Sequence, residues 1–167
     1  MKKRVDLPEK KYEGYIFDLD GTLVDSMPLH YRAWREALAR AGAPDHVFRA
    51  DEFYSCGGKS ANDVVRFLNE RYGMHMDAAS TAADKRRIYL EMLEKEGMQP
   101  IREVVEFVHS LGDAPKAIAT GSAMPGASRT LAAAGLSGLF DVILTPDETG
   151  RAKWRPLTRK ETKERGI

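Results

Sequence analysis

The chain of 167 residues is long enough for one ordinary domain or for a small core with an insertion, and its 43% apolar and 31% charged residues exclude a disordered chain. The formal net charge of +1 divides into −4 for residues 1 to 150 and +5 for residues 151 to 167, and no apolar run approaches the roughly 18 to 20 residues of a membrane span. The single cysteine, Cys56, excludes an internal disulfide and fits a reducing compartment, so we expect a soluble, cytoplasmic protein with no membrane partner.

The first hundred residues predict one strand followed by a block of helices. The run Tyr15-Ile16-Phe17 is continuously apolar, as expected of a parallel strand that is covered on both faces. Helices are predicted over 28–42, 60–73 and 77–97, each of which ends at a glycine. Trp34, Leu38 and Ala41 lie on one face of the first helix, and Ser60 and Asp63 have the spacing of a helix cap.

After residue 100 the pattern alternates between helix and strand. A helix is predicted over 100–112, a short strand over 115–120, a helix of small residues over 125–136 and an apolar strand over 141–145. This alternation predicts an α/β protein with a Rossmann-like parallel sheet. The helices between about 26 and 95 then form an insertion after the first strand, so the sheet domain is discontinuous and comprises residues 1–25 and 96–153.

Polar side chains follow each predicted strand, where an open parallel sheet binds its ligands. Asp18 and Asp20 follow the first strand and, being two residues apart, face the same side in an extended chain. Gly21 permits a sharp turn after them. Thr120-Gly121-Ser122 follows the second strand and offers a hydroxyl and backbone N–H groups at a helix N-terminus, which suits a phosphate.

Two neighbouring carboxylates repel one another unless a cation neutralises them, and Mg²⁺ is the oxygen-preferring ion that this pair implies. One carboxylate can then attack phosphorus to form an acyl phosphate, while the other transfers a proton to the leaving oxygen. The structural alternative is a turn in which an aspartate only caps the backbone. The preceding apolar strand and the second polar strand end favour the catalytic interpretation.

The segment DLDGTLVD, residues 18–25, resembles the signature of the haloacid dehalogenase superfamily, and AIATGS, residues 117–122, resembles its second motif. The resemblance extends over residues 12 to 153. It implies that Asp18 is the nucleophile, that Asp20 is the general acid/base and also binds Mg²⁺ through its backbone carbonyl, and that Thr120 holds the phosphoryl group. It also implies that residues 26–95 are a helical cap. Asp20 favours phosphoryl transfer over carbon–halogen cleavage.

A narrower likeness concerns the substrate. HYRAW, residues 30–34, resembles the start of the cap in β-phosphoglucomutase-like members, which makes His30 a candidate substrate contact; the alternative is an ordinary histidine on a helix surface. FYSCGGKSANDVV, residues 53–65, resembles the loop of the cap that reads the substrate. The further residues that the resemblance assigns to substrate binding are Gly21, Thr22, Gly58, Lys59, Ser60, Gly121 and Ser122. The cap arginine of the mutase has no clear match here unless Lys59 replaces it, and this, together with Thr22, favours a sugar-phosphate phosphatase over a phosphosugar mutase.

The resemblance weakens at the C-terminal end. Lys153 occupies the place of the catalytic lysine of the family, but Trp154 and Leu157 replace a proline and an aspartate. No acidic fourth motif follows, so we expect an incomplete core, truncated after the third strand, with weaker Mg²⁺ binding and with the first strand at an exposed edge. The chain would then be a monomer or an edge-mediated dimer, and a catalytically impaired remnant is the alternative to an active enzyme.

Residues 154–167 are predicted to be a basic tail. They have almost no apolar face, so a helix formed from them could not cover a sheet. Trp154 is the only aromatic residue of the tail, which favours a solvated charged end over nucleic-acid binding. We therefore expect a small phosphorylated molecule, and no nucleic acid, as the partner.

Overall fold

The computed structural model describes residues 12–146, so Lys153, the predicted tail at 154–167 and the first eleven residues lie outside the described part. Within it the chain forms three short strands and six helices. In chain order they are β1 (Tyr15–Phe17), α1 (Met27–Arg40), α2 (Ala50–Ser55), α3 (Ala61–Tyr72), α4 (Ala78–Glu96), α5 (Arg102–Ser110), β2 (Lys116–Ala119), α6 (Met124–Ala133) and β3 (Val142–Leu144).

The three strands form one parallel sheet in the order β1-β2-β3. Ile16 is paired with Ala117 in β2, which in turn is paired with Val142 in β3. Parallel neighbours need crossover connections, and α6 supplies the one between β2 and β3. The predicted α/β fold, with helices inserted after the first strand, is confirmed. In the described part of the chain β1 is an edge strand, and the side chain of Ile16 is 74% exposed.

The helix ends follow the capping signals in the sequence. The Ser60 hydroxyl accepts a hydrogen bond from the Asp63 N–H at 3.2 Å, and the Asp77 carboxylate accepts one from the Ser80 N–H at 2.7 Å. Gly73 ends α3 in the left-handed conformation at φ 63°. Ala41 is an exception to the prediction for α1: it lies beyond the last turn and is exposed.

Helix α2 was not predicted. The segment 53–65 was expected to begin as a loop. Its first three residues, Phe53, Tyr54 and Ser55, instead form the last turn of α2. The loop itself is therefore shorter and begins at Cys56. The helix has only six residues, one of them buried, and such a segment is too short to show an apolar period of 3.6 residues.

Two clusters of buried side chains hold the elements together. The first lies under the sheet and joins β1, β2, α5 and α6 to parts of α1 and α4, with Phe17, Ile118, Val108, Leu131, Leu29 and Ile88 among its members. The second lies among the inserted helices and includes Trp34, Leu38, Phe53, Val65 and Leu68. Because α1 contributes to both clusters, the helical block is anchored on the sheet through α1 and α4. The division into core and cap at residues 25 and 95 remains a prediction.

Two segments of the chain connect the sheet to the helical block, and they are hydrogen-bonded to each other. The Asp25 N–H donates to the Gln99 carbonyl at 3.0 Å, and the Ile101 N–H donates to the Leu23 carbonyl at 2.9 Å. The two segments thus run side by side where the chain leaves the sheet and returns to it. Across residues 12–146, none of the helices is both long and apolar enough to span a membrane.

Candidate active site

A tight turn carries the two aspartates beyond the end of β1. Leu19, which lies between Asp18 and Asp20, is fully buried, and its carbonyl accepts hydrogen bonds from the N–H groups of Leu23 and Val24 at 3.0 and 3.2 Å. The Leu19 N–H donates to the Asp18 carboxylate at 2.7 Å. Gly21 has a φ of 75°, and a Cβ there would stand 3.1 Å from the Met27 side chain, so the turn requires a glycine.

A cavity of about 510 Å³ lies where the turn leaves the sheet. The structure brings eight of the predicted site residues to its wall, namely Asp18, Asp20, His30, Gly58, Lys59, Ser60, Gly121 and Ser122. Aromatic and apolar side chains of the inserted helices form much of the rest, among them Trp34, Phe48 and Phe53. Gly21, Thr22 and Thr120 are not part of this wall in the described chain, and Lys153 lies outside the described residues.

The second strand end meets the first at Ser122. The Ser122 hydroxyl donates to the Asp20 carboxylate at 2.7 Å, although the two residues are 102 positions apart in the chain. The Ser122 N–H donates to the hydroxyl oxygen of Thr120 at 3.1 Å, and Thr120 is 2% exposed. Thr120 therefore lies directly behind the cavity wall, where it orients Ser122. Its predicted contact with a phosphoryl group remains a prediction.

Both oxygens of the Asp20 carboxylate are hydrogen-bonded. One accepts from the Ser26 hydroxyl at 2.6 Å and contacts Nε2 of His30 at 3.1 Å, and the other accepts from Ser122. Burial raises the pKa of Asp20, but the hydrogen bonds from His30 and from the two serine hydroxyls outweigh burial and hold that pKa well below its usual range. Asp20 is therefore ionised at neutral pH.

Ser26 was not among the predicted site residues. It occupies the N-cap position of α1, yet its side chain caps no backbone N–H and donates to Asp20 instead. Ser26 is fully buried, so the carboxylate is its essential partner. A serine directly before a predicted helix normally indicates a cap, and nothing in the sequence distinguishes this one.

His30 lies inside the site, and the alternative of a histidine on the helix surface is wrong because its side chain is only 13% exposed. Lys85 approaches Nδ1 of His30 at 2.8 Å. An ammonium group can only donate, so Nδ1 accepts and Nε2 carries the proton that is donated to Asp20. Burial, and then the charge of Lys85, lower the pKa of His30, which agrees with a neutral ring. Substrate contact by His30 remains a prediction.

Lys85 and Tyr89 are further residues that the sequence analysis missed. They lie one turn apart on α4, and both line the cavity. Burial lowers the pKa of Lys85 to about 8, against the opposing attraction of Asp20. The imidazole of His30 stacks on the Tyr89 ring. The available signal in the sequence was their spacing of four residues, which places a lysine and a tyrosine on the same face of a mostly polar helix.

The oxygen donors at the cavity suit a hard cation but form a small set. Across residues 12–146, no group of three or more His, Cys, Asp or Glu side chains has the arrangement of a metal site. The Asp18 carboxylate and the Asp20 backbone carbonyl are the donors that fit Mg²⁺, since the Asp20 carboxylate is occupied by its hydrogen bonds. The remaining ligands of such an ion would have to come from substrate, water or residues outside the described part.

Comparison with known proteins gives consistent matches. The sequence profile of the haloacid dehalogenase-like hydrolases matches residues 12–164. Fructose-1-phosphate phosphatase YqaB of Escherichia coli (strain K12) is 30% identical over 150 residues, which cover 89% of this chain and 77% of that protein. Hexitol phosphatase A of the same organism is 32% identical over 148 residues, which cover 86% of this chain and 64% of that protein.

The fold is also found in solved structures. The crystal structure of CbbY from Rhodobacter sphaeroides in complex with phosphate superposes with a TM-score of 0.72 at 20% identity, covering 93% of this chain and 73% of that one. This chain thus spans between about two thirds and three quarters of the length of the proteins that it resembles here.

Proposed function

The chain belongs to the haloacid dehalogenase-like hydrolases, and we propose that it is a Mg²⁺-dependent phosphatase of small phosphorylated metabolites, sugar phosphates first among them, acting through an aspartyl-phosphate intermediate. The observation that carries the proposal is the meeting of Asp18, Asp20 and Ser122 at one cavity. In this proposal two strand ends, far apart in the sequence, supply a nucleophile, an acid/base group and, at Gly121, a backbone N–H for the phosphate.

The proposed chemistry has two steps. The Asp18 carboxylate attacks phosphorus, the bond to the substrate oxygen breaks, and Asp20 passes to that oxygen a proton that it receives from Lys85 through His30. Water then attacks the phosphorus of the acyl phosphate, Asp20 takes its proton and returns it through His30 to Lys85, and phosphate leaves with Asp18 restored. A bound Mg²⁺ would supply charge neutralisation for the phosphoryl oxygens. The backbone N–H of Gly121, in the segment leading into α6, would bind those oxygens, since the N–H and the hydroxyl of Ser122 already donate to Thr120 and Asp20.

The hydrogen bonds around Asp20 favour the second step as they stand. An ionised carboxylate is a base, and the resting Asp20 is ionised because Ser26, His30 and Ser122 all stabilise its charge. The neutral His30 and the ammonium of Lys85 lie next to Asp20 in a chain of hydrogen bonds through which a proton could be supplied for the first step.

A small phosphorylated substrate agrees with the charges and size of the cavity. Lys59, Lys85 and Arg86 contribute positive charge to a wall that is otherwise largely apolar, and the loop Gly57-Gly58 brings exposed backbone close to the opening. Two relatives are named as a fructose-1-phosphate phosphatase and a hexitol phosphatase, and this supports sugar phosphates as the first class to test. We include a cytoplasmic location in the proposal because the single cysteine fits a reducing compartment.

The deciding experiment measures phosphate release by the purified full chain from p-nitrophenyl phosphate and from a panel of sugar phosphates, with Mg²⁺ and with EDTA. Turnover should require Mg²⁺ and should be lost in Asp18→Asn. Asp113→Asn is the matched control, since it makes the same chemical change at an exposed position and should keep full activity. Turnover that survives Asp18→Asn would contradict the mechanism.

Two further outcomes separate the alternatives. Conversion of one sugar phosphate isomer into another, without release of phosphate, would identify a phosphosugar mutase. No Mg²⁺-dependent turnover on any substrate, together with a folded protein, would identify a catalytically impaired remnant. We also propose that the chain is either a monomer or a dimer through the open edge of β1, which sedimentation over a range of concentrations distinguishes.

A further inference from the structure

Tyr89 connects the group around Asp20 to a helix on the other side of the site. Its ring lies parallel to the imidazole of His30, with centroids 4.1 Å apart and planes 10° apart. Its hydroxyl and that of Thr130 in α6 are 2.8 Å apart. Tyr89 is 4% exposed and Thr130 is 1% exposed, so each hydroxyl depends on the other for a hydrogen bond inside the protein.

The stack restricts the orientation of the imidazole. His30 bonds Asp20 through Nε2 and Lys85 through Nδ1, so turning the ring out of its plane would break both contacts. The flat face of Tyr89 permits the observed orientation and opposes a turn, because a rotated ring would collide with it. The ammonium of Lys85 also lies 5.3 Å from the centroid of the Tyr89 ring. Tyr89 therefore contacts both His30, which is bonded to Asp20, and Lys85, which is bonded to His30.

The hydroxyl pair fixes the Tyr89 ring relative to the sheet. Thr130 lies on α6, the helix that follows Gly121 and Ser122 at the second strand end. Ser122 in turn donates to Asp20. The bond between Tyr89 and Thr130 thus links α4, which carries Lys85, to the element that places Ser122. A phenylalanine at position 89 would fill the same space without this link.

We propose that Tyr89 is a positioning residue, anchored by Thr130, that holds the His30 ring so that its Nε2–H meets the acid/base carboxylate of Asp20. The proposal rests on the phosphatase function proposed above. Tyr89 acts through His30 and not on the reacting atoms, so its loss should affect the rate of the chemical step more than the binding of substrate. Burial raises the pKa of Tyr89, so its hydroxyl stays protonated at neutral pH.

Kinetics of a variant series test the proposal. Tyr89→Leu removes the stack and should lower kcat by about 10- to 100-fold with KM changed less than about threefold, as expected for a misplaced catalytic group. Tyr89→Phe and Thr130→Val each remove only the anchoring bond and should lower kcat by a smaller factor. The double variant Tyr89→Phe/Thr130→Val should be no slower than either single variant, because both changes remove the same bond. Thr130→Ser keeps the hydroxyl and should keep wild-type kcat.

Tyr54→Phe is the matched control, since Tyr54 is 60% exposed and should tolerate loss of its hydroxyl. A folded Tyr89→Leu protein with kcat within twofold of wild type would overturn the proposal, as would additive effects in the double variant. If Tyr89→Leu does not fold, the proposal is tested by Tyr89→Phe, Thr130→Val, the double variant and Thr130→Ser.

An NMR measurement tests positioning without any turnover. The ring N–H of His30 should be protected from exchange and should show the Nε2–H tautomer in the wild-type chain. That signal should shift or broaden in Tyr89→Leu and should remain unchanged in Tyr54→Phe. Absence of phosphatase activity combined with this result would reject the proposed function but keep the positioning role. An unchanged His30 signal in Tyr89→Leu would reject the positioning role whatever the activity.

Discussion

Replacing Ser26 with alanine should destabilise the protein at neutral pH more than removal of an ordinary serine would. The Ser26 hydroxyl is fully buried and donates to the ionised Asp20 carboxylate at 2.6 Å. A hydrogen bond to a charged group contributes about 1.5–3 kcal/mol, and Ser26→Ala should lower the free energy of unfolding by that amount. For a chain of this size each kcal/mol corresponds to a shift of about 2–4 °C in Tm.

The loss of unfolding free energy in Ser26→Ala should become smaller at acidic pH. The folded-state pKa of Asp20 lies below its unfolded value, so the ionised carboxylate contributes stability at any pH above the unfolded pKa. That contribution is lost as the pH falls through the folded pKa. Since Ser26 stabilises the charged form, the difference between wild type and Ser26→Ala should stay constant down to about pH 4 and should shrink only at lower pH, where Asp20 takes up a proton in the folded variant.

Urea unfolding of both proteins at several pH values, in the presence of EDTA, measures the effect. Ser110→Ala is the matched control, since Ser110 is exposed and donates only to the Phe107 carbonyl of its own helix. The control should change the free energy of unfolding by less than about 0.5 kcal/mol. A loss in Ser26→Ala that is equally small, or one that already shrinks between pH 7 and pH 5, would refute the assignment of Ser26 to the Asp20 carboxylate.

Three further predictions concern the rest of the described chain. Leu68→Ala should lower the free energy of unfolding by about 2–5 kcal/mol, since Leu68 is fully buried among the inserted helices; urea unfolding measures it, and a loss below about 1 kcal/mol would contradict that packing. Iodoacetamide should modify Cys56 at pH 8 at least about tenfold more slowly in the native protein than in urea, because burial raises the pKa of its thiol; equal rates would show that the thiol is accessible. If the chain associates through β1, Ile16→Lys should reduce that association in sedimentation velocity, because Ile16 is 74% exposed on the edge strand; unchanged association would place the contact elsewhere.

The site was predictable where its residues follow a strand. Asp18, Asp20, Gly121 and Ser122 line one cavity because the carboxyl ends of neighbouring parallel strands lie side by side, and this follows from the order of elements alone. The residues that bond to the Asp20 carboxylate or to its partner His30 were harder to find. Ser26 has the sequence pattern of a helix cap, and Lys85 that of a solvent-facing charge in a polar helix.

Apolar periodicity and capping signals by themselves determined the three strands and five of the six helices, because these depend on contacts within a few residues of the chain. The alternating order of helix and strand then indicated the parallel sheet. Only the tertiary structure decided that Lys85 lies next to His30 from a position 55 residues away, and that Tyr89 reaches Thr130 from 41 residues away. The physical reason is that periodicity indicates which face of a helix is buried, whereas the packing of α4 against α1 and α6 determines which polar groups meet there.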